Sequence, residues 1–291
     1  MVEQVADQLE TAAIALNLRR DELADIELQL LLDALLRYGA CDLRCLNQSV
    51  LRRRVADAMR LENLPTISAL LDRLLHDERA LVAFLSSIRG SASQLFAQPS
   101  FFRAFITAVV PLLRTYSFVR IWVPTTGPGG DAYSLAALLD QAGILSRTII
   151  YATSINDVAV TIAKAGLYKH TGRELLENQA RSAGLEAPLE RYFDVHENMA
   201  TPKESLREGV MFARHNPAAD ASINEFHAIV CRGLLPQLNA ATQLRLHTLF
   251  FDSLLHLGFL ALGNGETLAH TPHEAAFRHV SAEEPIYRRL R

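Results

Sequence analysis

The hydrophobic periodicity of this 291-residue chain changes once, near residue 116, and this change limits the possible folds most strongly. Before it, apolar residues recur at helical spacing, as in "IELQLLLDALLRYG", with Gly39 after one predicted helix and Thr66 before another. After it, short β-branched or aromatic runs alternate with helical patterns. The predicted division is an all-helical N-terminal domain over 1–88, a linker with a connecting helix over 89–115, and an α/β domain over 116–291.

Five short runs in the second half have the composition of β-strands. They are "SFVRIWVP", "RTIIYATS", "GVMFARH", "FHAIVCRG" and "HLGFLALG". "RIWVP" and "AIVC" are apolar almost throughout, which is typical of strands covered on both faces. Strands that alternate with helices predict a doubly wound, Rossmann-like parallel sheet. The stretch 170–208 has weak periodicity, so an irregular inserted subdomain is predicted there.

Composition excludes several classes of function. The chain is 49% hydrophobic and 21% charged, with a net charge of −3, which does not favour nucleic-acid binding. The N-terminus lacks the basic region of a signal peptide, and the most apolar window contains Asp252 and His256, so no membrane insertion is expected. Three cysteines suit a reducing compartment, and Cys41 and Cys45 lack a second ligand pair nearby, so a cytoplasmic protein without a metal is predicted.

A glycine-rich turn follows the first predicted strand in "IWVPTTGPGGDAYSLAALLD", residues 121–140. Gly127 and Gly129 allow close approach of the backbone, and Asp131 stands where the next helix should begin. In a doubly wound sheet this turn lies at the carboxyl edge, where ligands bind. A plain tight turn would have the same composition. No G-x-G-x-x-G signature is present, so a nucleoside without a pyrophosphate, such as S-adenosylmethionine, fits better than NAD or FAD.

Ordered sequence blocks extend this pattern over most of the chain. They are "WVPTTGPGGDAYS" at 122–134, "ATSIN" at 152–156, "VMFARHN" at 210–216, "FHAIVCRGLLPQL" at 226–238 and "GNGE" at 263–266. In order and spacing the chain resembles the chemotaxis receptor methyltransferase (CheR) family. The resemblance implies a helical N-terminal domain, an S-adenosylmethionine-binding α/β domain with a small inserted subdomain, and methyl transfer to glutamate side chains of receptors.

The resemblance also implies positions that contact the cofactor. They are Ser91, Ser93, Gly127, Gly129, Asp131, Ser154, Asn216, Arg232 and Gly233. Ala97 stands where the family has an arginine that grips a carboxylate, and Ser154 stands where it has the acid that binds the ribose. Asp131 keeps a carboxylate, one methylene shorter than the family's glutamate, for the cofactor's ammonium. No residue is assigned a catalytic role.

Three hypotheses follow. Each lost charge-assisted hydrogen bond weakens binding by about 10- to 100-fold, so the leading one is an eroded S-adenosylmethionine site, with cofactor binding weak or lost. Such a protein would be a binding or regulatory module in bacterial chemosensory signalling, with a chemoreceptor or signalling protein as partner. The alternatives are an active protein-glutamate O-methyltransferase and a pocket used for another nucleotide-like ligand. The basic run Arg52–Arg54 with Arg60 is either a solvated helix face or a docking face for acidic receptor helices.

Overall fold

The computed structural model describes residues 2–39, 41–87, 94–125, 127, 129–155, 157–216, 220–222 and 225–291, with the backbone alone for 2–18 and 20. The chain forms two compact units. The first is Met1–Arg44 with Gln48–Phe84, and the second is Cys45–Asn47 with Leu85–Arg291.

The first unit is helical. Its helices are α1 (Val2–Arg37), α2 (Gln48–Leu61), α3 (Ile67–His76) and most of α4 (Glu78–Ser87). Gly39 follows α1 with a φ of +78°, a conformation that glycine adopts without steric cost. The Thr66 side chain accepts a hydrogen bond from the Ala69 backbone N–H and caps α3. Both predicted helix boundaries are confirmed.

The second unit contains the remaining elements. The helices are α5 (Pro99–Ala108), α6 (Val110–Leu113), α7 (Gly130–Gln141), α8 (Asp157–Ala165), α9 (Arg173–Ser182), α10 (Glu204–Arg207) and α11 (Ala240–Ser253). The strands are β1 (Val119–Pro124), β2 (Thr148–Ser154), β3 (Tyr168–Lys169), β4 (Phe193–His196), β5 (Met199–Pro202), β6 (Val210–Arg214), β7 (Phe226–Cys231), β8 (Leu254–Leu262), β9 (Phe277–His279) and β10 (Ile286–Arg289).

Seven strands form one sheet in the order β6-β2-β1-β7-β8-β10-β9. The pairs of β1 with β2, β1 with β7, β2 with β6 and β7 with β8 are parallel, and β10 runs antiparallel to β8 and β9. Every residue of β7 is buried, as its apolar composition predicted. The Rossmann-like architecture is confirmed. The strand order reverses between β1 and β7, which places the topological switch point at their carboxyl ends.

The stretch 170–208 is more regular than its sequence indicated. It contains α9 and the strands β4 and β5, which form an antiparallel sheet with β3 in the order β3-β5-β4. The inserted subdomain that the resemblance implied is present, but the prediction that it is irregular was wrong. Strands of two to four residues are too short to show the alternation that identifies a strand in a sequence.

Two features are absent from the described part of the chain. None of its helices is both long and apolar enough to cross a membrane. No group of three or more histidine, cysteine or acidic side chains within the same residues could hold a metal ion.

Candidate functional site

The positions named from the sequence meet at the carboxyl edge of the sheet. Gly127 and Gly129 follow β1, Ser154 ends β2, and Arg232 and Gly233 follow β7. Asn216 lies two residues beyond β6, the strand that pairs with β2. This clustering follows from the parallel topology, because parallel strands end at a common edge. Ser91 and Ser93 lie outside the described residues.

The glycine-rich turn is held from two sides. Gly127 donates its backbone N–H to Thr125 Oγ1 at 3.0 Å. Gly129 has a φ of +79° and precedes α7. A Cβ atom at Gly129 would lie 2.5 Å from Cε1 of Phe212, so this position excludes a side chain for two independent reasons. The Phe212 ring therefore covers one side of the turn.

Asp131 forms a buried ion pair with Arg232. The Arg232 Nη1 atom donates to Asp131 Oδ1 at 2.7 Å, and the side chains are only 2% (Arg232) and 7% (Asp131) exposed. The carboxylate lies in the first turn of α7, where the helix dipole favours a negative charge. The group that the family resemblance assigns to the cofactor's ammonium thus has a cationic partner within the protein itself.

Arg232 also binds the segment before α5. Its Nη2 atom donates to the Ala97 carbonyl oxygen at 2.7 Å and to Gln98 Oε1 at 2.8 Å. The guanidinium carbon lies 4.4 Å from the Phe101 ring centroid and 4.9 Å from that of Phe102. These distances are typical of cation–π contacts. Arg232 therefore joins α7 to the segment that carries Ala97, the position of the family's missing arginine.

Burial sets the protonation of the ion pair. It raises the pKa of Asp131 to about 6, against the charge and the hydrogen bond of Arg232, which lower it. The carboxyl group is therefore mainly ionised at neutral pH. Two buried charges this close are strongly coupled, and removing either one leaves the other without compensation.

The Ser154 side chain, unlike that of Asp131, has no hydrogen-bond partner among the described residues. It is 4% exposed, and its Oγ atom is buried. The Ser154 carbonyl accepts a backbone hydrogen bond from His215, and Asn216 donates its N–H to Asp220 Oδ2 at 2.7 Å. A buried hydroxyl without a partner costs free energy. It also leaves one polar contact open at the end of β2.

Glu266, in the "GNGE" block, holds the loop that carries Arg232. Its Oε2 atom accepts from the backbone N–H groups of Gly263 at 2.6 Å and Gly233 at 3.1 Å, and its Oε1 atom accepts from Leu235 at 2.9 Å. Burial raises the pKa of Glu266, against these hydrogen bonds and Arg232, which lower it. Glu266 thereby fixes the backbone from which Arg232 reaches Asp131.

Sequence reasoning missed three contributors to this arrangement. Gln98 binds Arg232 from a left-handed backbone conformation with a φ of +56°, which no local motif signals. Phe212 covers the glycine turn from a different strand. Glu266 could have been found from the sequence, because it lies in the last matched block, "GNGE", which directly follows β8. Asn156 and Pro128 lie outside the described residues.

S-adenosylmethionine fits these residues at one end only. The glycine turn and the unpartnered Ser154 hydroxyl suit a ligand that carries hydroxyl groups and lies close to the backbone. The ammonium position does not fit, because Asp131 is already paired with Arg232. Ala97 supplies no cation for a carboxylate.

Known proteins resemble both units. The family model described as "CheR methyltransferase, SAM binding domain" matches residues 91–285, and "CheR methyltransferase, all-alpha domain" matches residues 26–88. "Putative methyltransferase Cher3" of Pseudomonas putida is 34% identical over 91% of this chain and 97% of its own length. The "Chemotaxis protein methyltransferase" of Escherichia coli is 26% identical over 65% of each chain.

The solved structures include a glycopeptide N-methyltransferase, MtfA, complexed with sinefungin. It is 16% identical to this chain, covers 60% of this chain and 51% of its own, and has a TM-score of 0.34. The two family models together account for most of the residues, and they match in the order in which the two units occur. The chain belongs to the CheR methyltransferase family.

Proposed function

We propose that this protein acts in bacterial chemosensory signalling as a cytoplasmic binding or regulatory member of the CheR family, with a weakened S-adenosylmethionine site. Relatives named as chemotaxis methyltransferases support the pathway. The observation that carries the weakened site is the buried ion pair between Asp131 and Arg232. A carboxylate committed to an internal cation is a poor receptor for the ammonium of a ligand.

The size of this effect follows from electrostatics. A cation about 4 Å from Asp131 gains about 4 kcal/mol at an effective dielectric constant of about 20. If Arg232 lies about 5 Å from the same cation, the repulsion is about 3 kcal/mol. Most of the attraction is then cancelled. The cancelled attraction of about 3 kcal/mol corresponds to about 100-fold in affinity.

Ser154 and Ala97 weaken the site further. A neutral hydroxyl forms hydrogen bonds of about 0.5–1.5 kcal/mol, compared with about 1.5–3 kcal/mol for bonds to a charged group. Ala97 offers its backbone carbonyl, which already accepts from Arg232, and no guanidinium. Methyl transfer to an ionised carboxylate depends mainly on positioning, so loss of the positioning groups removes most of the catalysis.

The partner we propose is a chemoreceptor or another signalling protein. Within the first unit, Arg52 pairs with Asp25, and Arg60 pairs with Asp57. These side chains are largely exposed, so the pairs are weak and an acidic partner could compete for the arginines. The run is thus a candidate docking face, although two of its cations are partly neutralised.

Calorimetric titration with S-adenosylmethionine and S-adenosylhomocysteine tests the weakened site. We expect dissociation constants above about 100 μM for both. Transfer of a labelled methyl group to an acidic chemoreceptor peptide should not exceed the rate without protein. A dissociation constant in the low micromolar range, or transfer well above background, would refute the proposal.

Two variants separate the proposed causes of weak binding, which are the charge of Arg232 and the missing acid at position 154. Arg232→Gln removes the competing charge and should tighten S-adenosylmethionine binding by at least about 10-fold. Arg103→Gln is its control, because Arg103 binds only a backbone carbonyl, that of Ser182, among the described contacts. Weaker binding by Arg232→Gln, with the control unchanged, would mean that Arg232 assists the ligand.

Ser154→Asp should strengthen binding by about 10- to 100-fold by restoring the acid for the ribose hydroxyls. Ser205→Asp is the matched control. It adds the same charge at an exposed position in α10, before β6 and therefore at the opposite edge of the sheet. If both variants bind as the parent does, side-chain loss is not the reason for weak binding.

The alternative is an active protein-glutamate O-methyltransferase. One observation favours it: the buried Ser154 hydroxyl has no hydrogen-bond partner among the described residues, as expected of a group that binds a ligand. Under this alternative Arg232 would bind the carboxylate of the cofactor, and Arg232→Gln would lower both affinity and methyl transfer. The same titrations therefore distinguish the two functions.

A further inference from the structure

An apolar stripe runs along α1 on the side away from its own domain core. Leu23, Ile26 and Leu30 are 55%, 58% and 54% exposed. Leu28 and Leu31 are at most 1% exposed. At about 100° per residue, the exposed set points about 140° away from the buried set. Exposed large aliphatic side chains aligned on one helix face indicate an interaction surface.

The spacing of this stripe is heptad. Positions 2, 9, 16, 23 and 30 are Val, Leu, Leu, Leu and Leu, and positions 5, 12, 19, 26 and 33 are Val, Ala, Arg, Ile and Asp. Eight of these ten positions are apolar, over more than four heptads. We name these ten positions the α1 seam. Between residues 2 and 27 the chain has eight large aliphatic residues (Val, Leu, Ile), and six of them lie in the α1 seam. Such a run is typical of a coiled coil.

The described side chains of α1 before Leu28 are not buried by their own domain. Among the described side chains from Arg19 to Glu27, every one is exposed or half-buried, and burial begins at Leu28. An isolated helix in water is marginally stable, and most helical stability in proteins comes from packing. The match to the family's all-alpha domain starts at residue 26, so most of the α1 seam precedes the region shared with the family.

The positions beside the seam indicate which helix covers it. Nine positions of α1 would flank the interface of such a coiled coil. They are Ala6, Gln8, Ala13, Ala15, Arg20, Glu22, Glu27, Gln29 and Ala34. Six of these nine are small or neutral, whereas Glu3, Asp7, Glu10, Asp21 and Asp25 fall on the outer face. Two copies can therefore approach without a row of like charges between them, despite the acidic character of the helix.

We infer that α1 pairs through the α1 seam with α1 of a second copy of this chain, forming a two-helix coiled coil and a homodimer. A second copy brings a seam of the same length, period and leucine spacing, and the symmetry closes the assembly at two chains. Arg19 is the one cation within the seam. A polar residue at such a position lowers stability and restricts the pairing. The inference does not depend on S-adenosylmethionine.

The test is sedimentation equilibrium of the full chain without ligand, from about 1 to about 200 μM. We expect the parent to be dimeric, with a dissociation constant below about 50 μM. Leu23→Glu with Leu30→Glu should weaken the dimer by at least about 100-fold, because four buried leucines per dimer are lost. The matched control is Leu61→Glu with Val82→Glu, two exposed apolar residues of the same unit outside the seam.

A third variant gives a gain instead of a loss. Arg19→Leu should tighten the dimer by at least about 10-fold, because an apolar residue replaces the cation in the seam. Circular dichroism should show native helix content in all variants. A monomeric parent at the highest concentration, equal dissociation constants for the seam and control variants, or a weaker dimer for Arg19→Leu would each overturn the inference.

Discussion

The buried pair of Asp131 and Arg232 makes a quantitative prediction through a double-mutant cycle. Arg232→Met removes the cation and leaves the carboxylate buried, which should lower the free energy of unfolding by about 3–5 kcal/mol at pH 7.5. Asp131→Asn keeps an acceptor oxygen but leaves the guanidinium without a counter-charge. The double variant removes both charges of the pair. It should therefore be destabilised by less than the sum of the two single variants.

The coupling energy follows from the geometry. The Nη1 and Oδ1 atoms are 2.7 Å apart, so the charge centres are about 4 Å apart, and at an effective dielectric constant of about 20 they attract by about 4 kcal/mol. Because burial offsets part of this attraction, we expect a coupling of about 2–4 kcal/mol. Below about pH 5 the coupling should disappear, since the pKa of Asp131 is about 6 and protonation removes its charge.

Urea unfolding followed by fluorescence measures this coupling. Trp122 is the single tryptophan, is fully buried in β1, and reports on the second unit alone. Arg173 and Glu177 provide the control cycle, because their 2.9 Å ion pair in the same unit is 52% and 33% exposed. Exposed pairs couple by less than about 1 kcal/mol. A coupling for Asp131 and Arg232 no larger than that of the control would refute the argument that this carboxylate is committed.

Three further predictions concern the same sheet edge. Gly129→Ala should cost about 1–3 kcal/mol more in free energy of unfolding than Gly143→Ala, because both glycines have a positive φ but only a Cβ at Gly129 would meet Phe212; urea unfolding measures the difference. Relative to Asp131→Asn, the parent should lose about 3 kcal/mol of stability as pH rises from about 4 to about 6, and no more above that. The reason is that the folded protein binds the Asp131 proton more tightly than the unfolded chain does. Equal pH profiles of stability for the two proteins would contradict the raised pKa of Asp131. Glu266→Gln should cost about 1–3 kcal/mol, since the amide nitrogen cannot accept a backbone N–H, and no loss in thermal unfolding would show that the carboxylate does not hold the loop.

Local sequence patterns predicted the elements well. The helix boundaries at Gly39 and Thr66 depend on conformations and caps that neighbouring residues determine, and the structure contains both. The parallel sheet followed from alternating strand and helix patterns. The sheet of β3, β4 and β5 could not be predicted from local sequence patterns, because its strands are held by pairing with each other.

The sequence predicted which residues lie at the site but not which of them contact each other. Asp131 and Arg232 were both named from the sequence, but they are 101 residues apart, and nothing in either segment shows that their side chains meet. Which atoms pair depends on side-chain rotamers and on Gln98, whose left-handed backbone directs its side chain to the same guanidinium. A family pattern identifies the position of a ligand-binding group. It does not reveal that a neighbour has become its partner.

The contrast between Asp131 and Ser154 bears on the proposed weakening of the site. Groups that bind a ligand are left unsatisfied in its absence, and proteins accept a stability cost for this. Asp131 does not have this property, because Arg232 satisfies it and also joins α7 to the segment at Ala97. Ser154 retains it, since its buried hydroxyl has no hydrogen-bond partner among the described residues. If the site is weakened as we propose, a change that began at the ammonium and carboxylate end, where a buried ion pair could replace ligand contacts, would explain both observations. It also predicts that Ser154→Asp alone recovers less affinity than Ser154→Asp combined with Arg232→Gln.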